Sequence, residues 1–148
     1  MTINPSLPIL HGANISPYIR KVRVALAYKG IEYSNTQQSP FGAPEEFKAK
    51  SPLSKIPCWE DGDLVLPDSS VILSYLEHSY PEPPLFPASA VARARALWFE
   101  EYADTKLGET VAGVFFQRVH RLSYYAPIVR ADLGGEFARF RPQSIDKV

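Results

Sequence analysis

A short apolar run at Leu7, Ile9 and Leu10 opens the readable pattern, and after the break His11-Gly12-Ala13-Asn14-Ile15 the apolar spacing changes from strand-like to helical. Ile19, Val22 and Leu26 recur on one helix face behind Ser16-Pro17, and Gly30 is a suitable stop. A strand then fits Ile31-Glu32-Tyr33-Ser34, so a right-handed βαβ unit with parallel strands is expected. Residues 37–43 read as loop, and 44–50 as a short helix that begins at Pro44 and ends before Pro52. Two further apolar runs, Ile56-Pro57-Cys58-Trp59 and Leu64-Val65-Leu66, flank Glu60-Asp61-Gly62-Asp63; the Asp-Gly pair predicts a hairpin. Asp68, Ser69 and Ser70 then supply caps for an apolar helix over 71–77.

Beyond that helix, Pro81-Glu82-Pro83-Pro84-Leu85-Phe86-Pro87 breaks both periodicities and reads as a stiff linker. From Ala88 the pattern is helical again, through Ala94, Leu97, Trp98 and Tyr102, then Val111, Val114, Phe115 and Val119, with weak points at Gly108 and Gly113. The expected organisation is an α/β domain over 1–80 in the order βαβ-ββα, a linker over 81–87, and an all-α region over 88–148. Internal repeats and low-complexity tracts are absent from the sequence.

Composition narrows the partners. Sixteen Lys and Arg balance sixteen Asp and Glu, so no long-range field favours nucleic acid or an anionic membrane. The start, Met1-Thr2-Ile3-Asn4-Pro5-Ser6, lacks the pattern of a signal peptide, and no run of about 18 apolar residues is present to span a bilayer, so a soluble cytoplasmic protein is expected. The single cysteine, Cys58, rules out an internal disulfide and a multi-cysteine zinc site, and reads as a buried small hydrophobe. His11, His78 and His120 are too scattered to suggest a metal site, so no metal is expected. Any thiol chemistry must therefore use a thiol carried by a ligand.

Ser16 stands where a strand gives way to a helix. Unpaired N–H groups and the positive end of the helix dipole make such a position suited to steadying an anion, a thiolate included. Ser followed by Pro is equally an ordinary N-cap and first-turn pair. Both readings stand on the sequence.

The segment Ser16-Pro17-Tyr18-Ile19-Arg20-Lys21-Val22-Arg23-Val24-Ala25-Leu26-Ala27-Tyr28-Lys29-Gly30-Ile31, the turn Lys55-Ile56-Pro57 and the motif Asp68-Ser69-Ser70-Val71-Ile72 occur in that order. Together they resemble the cytosolic glutathione S-transferase family, in its serine-type theta, zeta and omega-like forms, and the likeness runs from about Leu7 to about Val119. The resemblance implies a thioredoxin-like N-terminal domain that binds glutathione as co-substrate, with no other cofactor, and directs its thiol at a small electrophile. It assigns Ser16 to the glutathione sulfur as hydrogen-bond donor. Ile56 would present its backbone to the cysteinyl part beside a cis Pro57, Asp68 and Ser69 would hold the γ-glutamyl end, and Lys55 would reach the glycyl carboxylate. Taken singly, Ser69 also reads as an N-cap, Lys55 as a solvated charge and Pro57 as a turn proline. A homodimer and a detoxifying role are further implications of the family.

Asn14 and Tyr18 flank Ser16 as alternative donors to the sulfur, and the cluster Arg20, Lys21 and Arg23 reads as a solvated face. Leu97, Trp98 and Tyr102 read as core and inter-domain packing. The family's second domain has five or more helices, whereas here Ser123-Tyr124-Tyr125-Ala126-Pro127, Gly134-Gly135 and Arg139-Phe140-Arg141-Pro142-Gln143-Ser144 break the helical pattern. An incomplete helical region is therefore expected, of the kind a premature stop, a frameshifted end or a degenerate remnant produces, with the apolar faces of Trp98, Phe115 and Phe116 left short of cover. Two functions compete: a glutathione transferase, or a non-catalytic binding or assembly module of the same fold. A glutaredoxin-like reductase is disfavoured, since neither Ser16 nor Ile19 is a cysteine.

Overall fold

The computed structural model describes residues 6–39 and 41–125, with side chains to 118. Two compact units divide the chain, Met1–Glu101 and Tyr102–Val148. The first carries β1 (Ile9–His11), α1 (Pro17–Lys29), β2 (Ser34–Thr36), α2 (Glu45–Lys50), β3 (Cys58–Asp61), β4 (Leu64–Pro67), α3 (Ser69–Ser79) and nearly all of α4 (Ala90–Tyr102). The sheet order is β2-β1-β3-β4, with β1 parallel to β2 and antiparallel to β3, and β3 antiparallel to β4. This is the thioredoxin-like mixed sheet that the element order predicts.

Strand alternation assigns the two faces. Leu10, Asn35, Trp59 and Leu66 are cross-strand partners and share one face. There Leu10 and Trp59 join Ile19, Val22, Ala25 and Leu26 of α1 and Ile72, Leu73 and Leu76 of α3 in the main core. On the other face Cys58 packs with Ala43 and Phe47, which docks α2. The sheet thus lies between α1 and α3 on one side and α2 on the other.

Several strand boundaries differ from the sequence reading. The second strand was expected over Ile31–Ser34 and lies at Ser34–Thr36, because Ile31 is used to close α1. Gly30 adopts a left-handed conformation (φ 68°), and the N–H of Ile31 returns to Leu26 O at 2.9 Å, a Schellman-type ending. The third strand begins at Cys58 rather than Ile56, since Pro57 has no N–H to offer the ladder. The first is confined to Ile9–His11, although the carbonyl of Pro8 still accepts Ser34 N–H at 2.8 Å. The hairpin forms where expected, but its two turn residues are Gly62 and Asp63, because Asp61 pairs with Leu64. Gly62 takes the positive φ (59°) that this turn needs.

The second unit contains a π-helical turn over Ala103–Leu107 followed by α5 (Gly108–Tyr125). Ser123, Tyr124 and Tyr125 continue α5, so the break expected just after Leu122 does not occur there. The expectations for 126–148, including Pro127, Gly134-Gly135 and Arg139–Ser144, lie outside the described residues. Gly113 sits inside α5 without interrupting it, whereas Gly108 marks the passage from π-helical to α-helical pairing. The reading of Leu97, Trp98 and Tyr102 as core is overturned: all three are exposed, Trp98 to 63%, and no residue of α4 is buried. Helical spacing alone does not distinguish an apolar face that is covered from one that is not. Among the described residues no helix is long and apolar enough to cross a membrane.

Candidate functional site

The register gathers the sequence-predicted residues at one end of the sheet. His11, the last residue of β1, pairs with Cys58, the first of β3, and Cys58 pairs with Pro67, the last of β4. The segment carrying Ser16, the turn Lys55-Ile56-Pro57 and the pair Asp68-Ser69 therefore all leave the sheet at this end. The N-terminal ends of α1 and α3 lie beside them.

Gly12 makes that convergence possible. Its φ is 157°, and a Cβ built there would stand 2.0 Å from Cδ1 of Ile19 and 3.3 Å from Cβ of Ile56. Backbone without a side chain thus passes between α1 and the Ile56 turn. Its N–H, donating to Thr36 O at 2.9 Å, carries the β1–β2 pairing into the loop.

Ser16 is the N-cap of α1, 9% exposed, with φ −66° and ψ 128°. Its Oγ accepts the N–H of Ile19 at 3.4 Å, which is long for such a bond. The capping reading of Ser16 is therefore realised. That bond uses one lone pair and leaves the hydroxyl proton uncommitted to it, so capping and donation to an anion are compatible. Asn14 is exposed and its Oδ1 accepts from Arg23 at 3.1 Å.

At the second element, the Ile56-Pro57 peptide is cis, as expected. The buried hydroxyl of Ser51 fixes the approach, accepting Lys55 N–H at 3.1 Å and donating to Lys55 O at 2.9 Å. Ser54, with φ 53°, completes the turn and donates to Ser51 O at 2.7 Å. Among the described residues no hydrogen bond uses the backbone N–H or C=O of Ile56. Lys55 itself is exposed.

Asp68 is the N-cap of α3, and both bonds fall on Oδ1, from Ser70 N–H at 2.8 Å and Val71 N–H at 3.2 Å. Its φ of 138° is one that side-chain-bearing residues rarely adopt, so the backbone there is strained. The Asp68 N–H donates to Pro57 O at 3.3 Å, which ties the third element to the second. Ser69, in the first turn of α3, is buried.

Sequence reasoning missed the group beside Ser69. Lys21, assigned above to a solvated face, is only 18% exposed, and its Nζ donates to Glu100 Oε1 at 2.8 Å and Ser70 Oγ at 3.2 Å. Ser70 Oγ also donates to Glu100 Oε1, at 2.7 Å. The partner lies far along the chain on α4, so no local pattern announces it. Arg20 and Arg23 remain exposed as expected.

On the α2 face, Glu60 Oε2 receives both Lys50 Nζ at 2.7 Å and His11 Nε2 at 2.8 Å. The Lys50 bond foremost, then that from His11, holds the Glu60 carboxyl below its usual pKa against the opposing effect of burial. Cys58 is buried, and desolvation pushes its thiol up to about 11, so it is a packing group and not a nucleophile. Among the described residues no group of three or more His, Cys, Asp or Glu is placed to hold a metal ion.

Residues 10–84 match the family described as glutathione S-transferase, N-terminal domain. A glutathione S-transferase of Triticum aestivum is 44% identical over 80 residues, which cover 54% of this chain and 37% of that protein. A stringent starvation protein A homolog of Haemophilus ducreyi is 38% identical over 79 residues, covering 53% of this chain and 37% of that protein. The crystal structure of a glutathione S-transferase from Methylobacterium radiotolerans, in complex with glutathione sulfonate, superposes with a TM-score of 0.67 at 29% identity. It matches over 89% of this chain and 59% of its own length. The chain thus spans little more than a third of the length of these two sequence relatives.

Proposed function

The chain belongs to the glutathione S-transferase N-terminal-domain family, and from that premise we propose that it binds glutathione and activates the thiol for attack on a small electrophile. The observation that carries this reading is the convergence of Ser16, Ile56-Pro57 and Asp68-Ser69 at one end of the sheet, set by the pairing of His11 with Cys58 and of Cys58 with Pro67. Support also comes from a structural relative described as a complex with glutathione sulfonate.

The steps follow from each residue's chemistry. The free N–H and C=O of Ile56 take the cysteinyl backbone as an added strand would, which makes the Ile56 side chain secondary. Oδ2 of Asp68, which takes no part in the cap, pairs with the γ-glutamyl ammonium. Ser69 and the N-terminus of α3 receive the α-carboxylate, and Lys55 meets the glycyl carboxylate as a mobile point charge.

The Ser16 hydroxyl then donates to the sulfur. A free thiol near pKa ~8.5 is only about 3% ionised at neutral pH, and a fall of about two units amounts to roughly 2.7 kcal/mol. A hydroxyl donor at the positive end of α1 supplies an effect of that order. The electrophile meets an oriented thiolate, and proximity contributes the remaining acceleration.

A second reading is a non-catalytic binding or assembly module of the same fold, localised like the first in the cytoplasm. Its support is the set of relatives named stringent starvation protein A homologs. One experiment separates the two: retention on immobilised glutathione is measured beside conjugation of a general aromatic electrophile. Retention with turnover supports the enzyme, retention without turnover the module, and failure of both refutes the proposed site.

A further inference from the structure

At the ends of α1 and α3 remote from Ser16 and Asp68 lies a buried charge that the candidate site does not use. The Lys29 side chain is 0% exposed; Nζ donates to Tyr80 O at 2.5 Å and Pro83 O at 2.9 Å, and stands 3.0 Å from Glu77 Oε2. Glu77 accepts Leu85 N–H at 2.8 Å on Oε2 and Phe86 N–H at 3.3 Å on Oε1. The two side chains thus serve two carbonyls and two amides of the same proline-rich segment. With Pro at 81, 83, 84 and 87, that segment is poorly able to pair its polar groups within itself.

Two neighbouring contacts extend this arrangement. Leu85 packs against the main core, and the Arg93 guanidinium sits 4.7 Å above the Phe86 ring at the start of α4. From there α4 runs to Glu100, which meets Lys21 and Ser70 beside the first turn of α3. No residue of α4 is buried, so burial of its own apolar side chains does not fix its course within the first unit.

We propose that the Lys29–Glu77 pair is a clasp that locks residues 80–86 onto the ends of α1 and α3 and so sets the path on which α4 reaches Ser70. The clasp is independent of what the candidate site binds. Burial raises the Glu77 pKa, but the bonds from Leu85, Lys29 and Phe86 outweigh it and leave the carboxyl below its usual value, consistent with a charged, closed clasp.

Residue-resolved native-state hydrogen exchange on the full chain tests this, comparing wild type with Lys29→Met, Glu77→Gln and the surface control Lys48→Met. In the two clasp variants the protection of Leu85 and Phe86 is expected to fall at least about tenfold further than that of β1 and β3, with the amides of α4 following. Lys48→Met leaves the profile unchanged. Equal loss in linker and core overturns the clasp, and loss confined to the linker overturns its control of α4. If neither clasp variant folds, the wild type decides: Leu85 and Phe86 exchange slowly if the clasp is closed, and exchange at the rate of unprotected amides overturns it.

Discussion

Asp68 carries two opposed effects that substitution separates. Its carboxylate caps α3 through Ser70 and Val71, while its φ of 138° strains the backbone. Asp68→Ala removes the cap and keeps the strain; Asp68→Gly removes both. Since the side-chain bonds of the cap are lost in each, the difference between the two variants reads the backbone, with the better tolerance of glycine at an N-cap acting in the same direction. Strain of this kind costs about 1–3 kcal/mol, and the greater freedom of glycine in the unfolded chain offsets about 0.5–1 kcal/mol of the relief. Asp68→Gly is therefore expected to be the more stable variant by roughly 0.5–2 kcal/mol, read from urea-unfolding midpoints at constant slope. Both variants lose the carboxylate assigned to the γ-glutamyl ammonium, so both are expected to weaken glutathione binding by about 1.5–3 kcal/mol. An alanine variant as stable as the glycine variant would refute the strain argument. Unchanged affinity in both would remove Asp68 from the binding site.

Ser16→Ala is expected to cost about 0.5–2 kcal/mol of stability by loss of the cap, while leaving glutathione affinity within a few-fold and raising the pKa of its bound thiol; superimposable thiolate absorbance titrations would refute the catalytic role. Leu10→Ala, at a fully buried position in the core that Trp59 and α1 share, is expected to lose about 2–5 kcal/mol in chemical denaturation. The carboxyls of Glu60 and Glu77 are both depressed in the folded state, so their contribution is complete above the ordinary carboxylate range and is lost as the pH falls through their folded values. Unfolding midpoints should accordingly drop on acidification, and less so in Glu60→Gln. Cys58, with its thiol at about 11, should resist alkylation at pH ~8 in the native protein and react readily once unfolded.

The parts legible in the sequence are those whose causes are local. Ser16-Pro17 and Gly30 bound α1 because a cap, a first-turn proline and a left-handed terminus act within a few residues. Asp68 was among the three cap candidates for α3 for the same reason. The hairpin was also visible, although pairing of Asp61 with Leu64 moves its turn one residue along. What is hidden depends on distant partners: Lys21 reads as a solvated charge, yet α4 brings Glu100 to it, and nothing local to Lys29 signals that Tyr80 and Pro83 supply its acceptors. Trp98 shows the converse. An apolar stripe at helical spacing states what a face is able to bury, and its exposure here depends on packing that the stripe does not encode.

The proposed site is tested most directly by calorimetric titration of the full chain with glutathione and, separately, with the dipeptide Cys-Gly, which lacks the γ-glutamyl group. If Asp68 and Ser69 hold that group while Ile56 holds the cysteinyl backbone, glutathione binds at one site per chain and Cys-Gly binds far more weakly. Absence of binding to glutathione, or equal affinity for glutathione and Cys-Gly, would contradict the account.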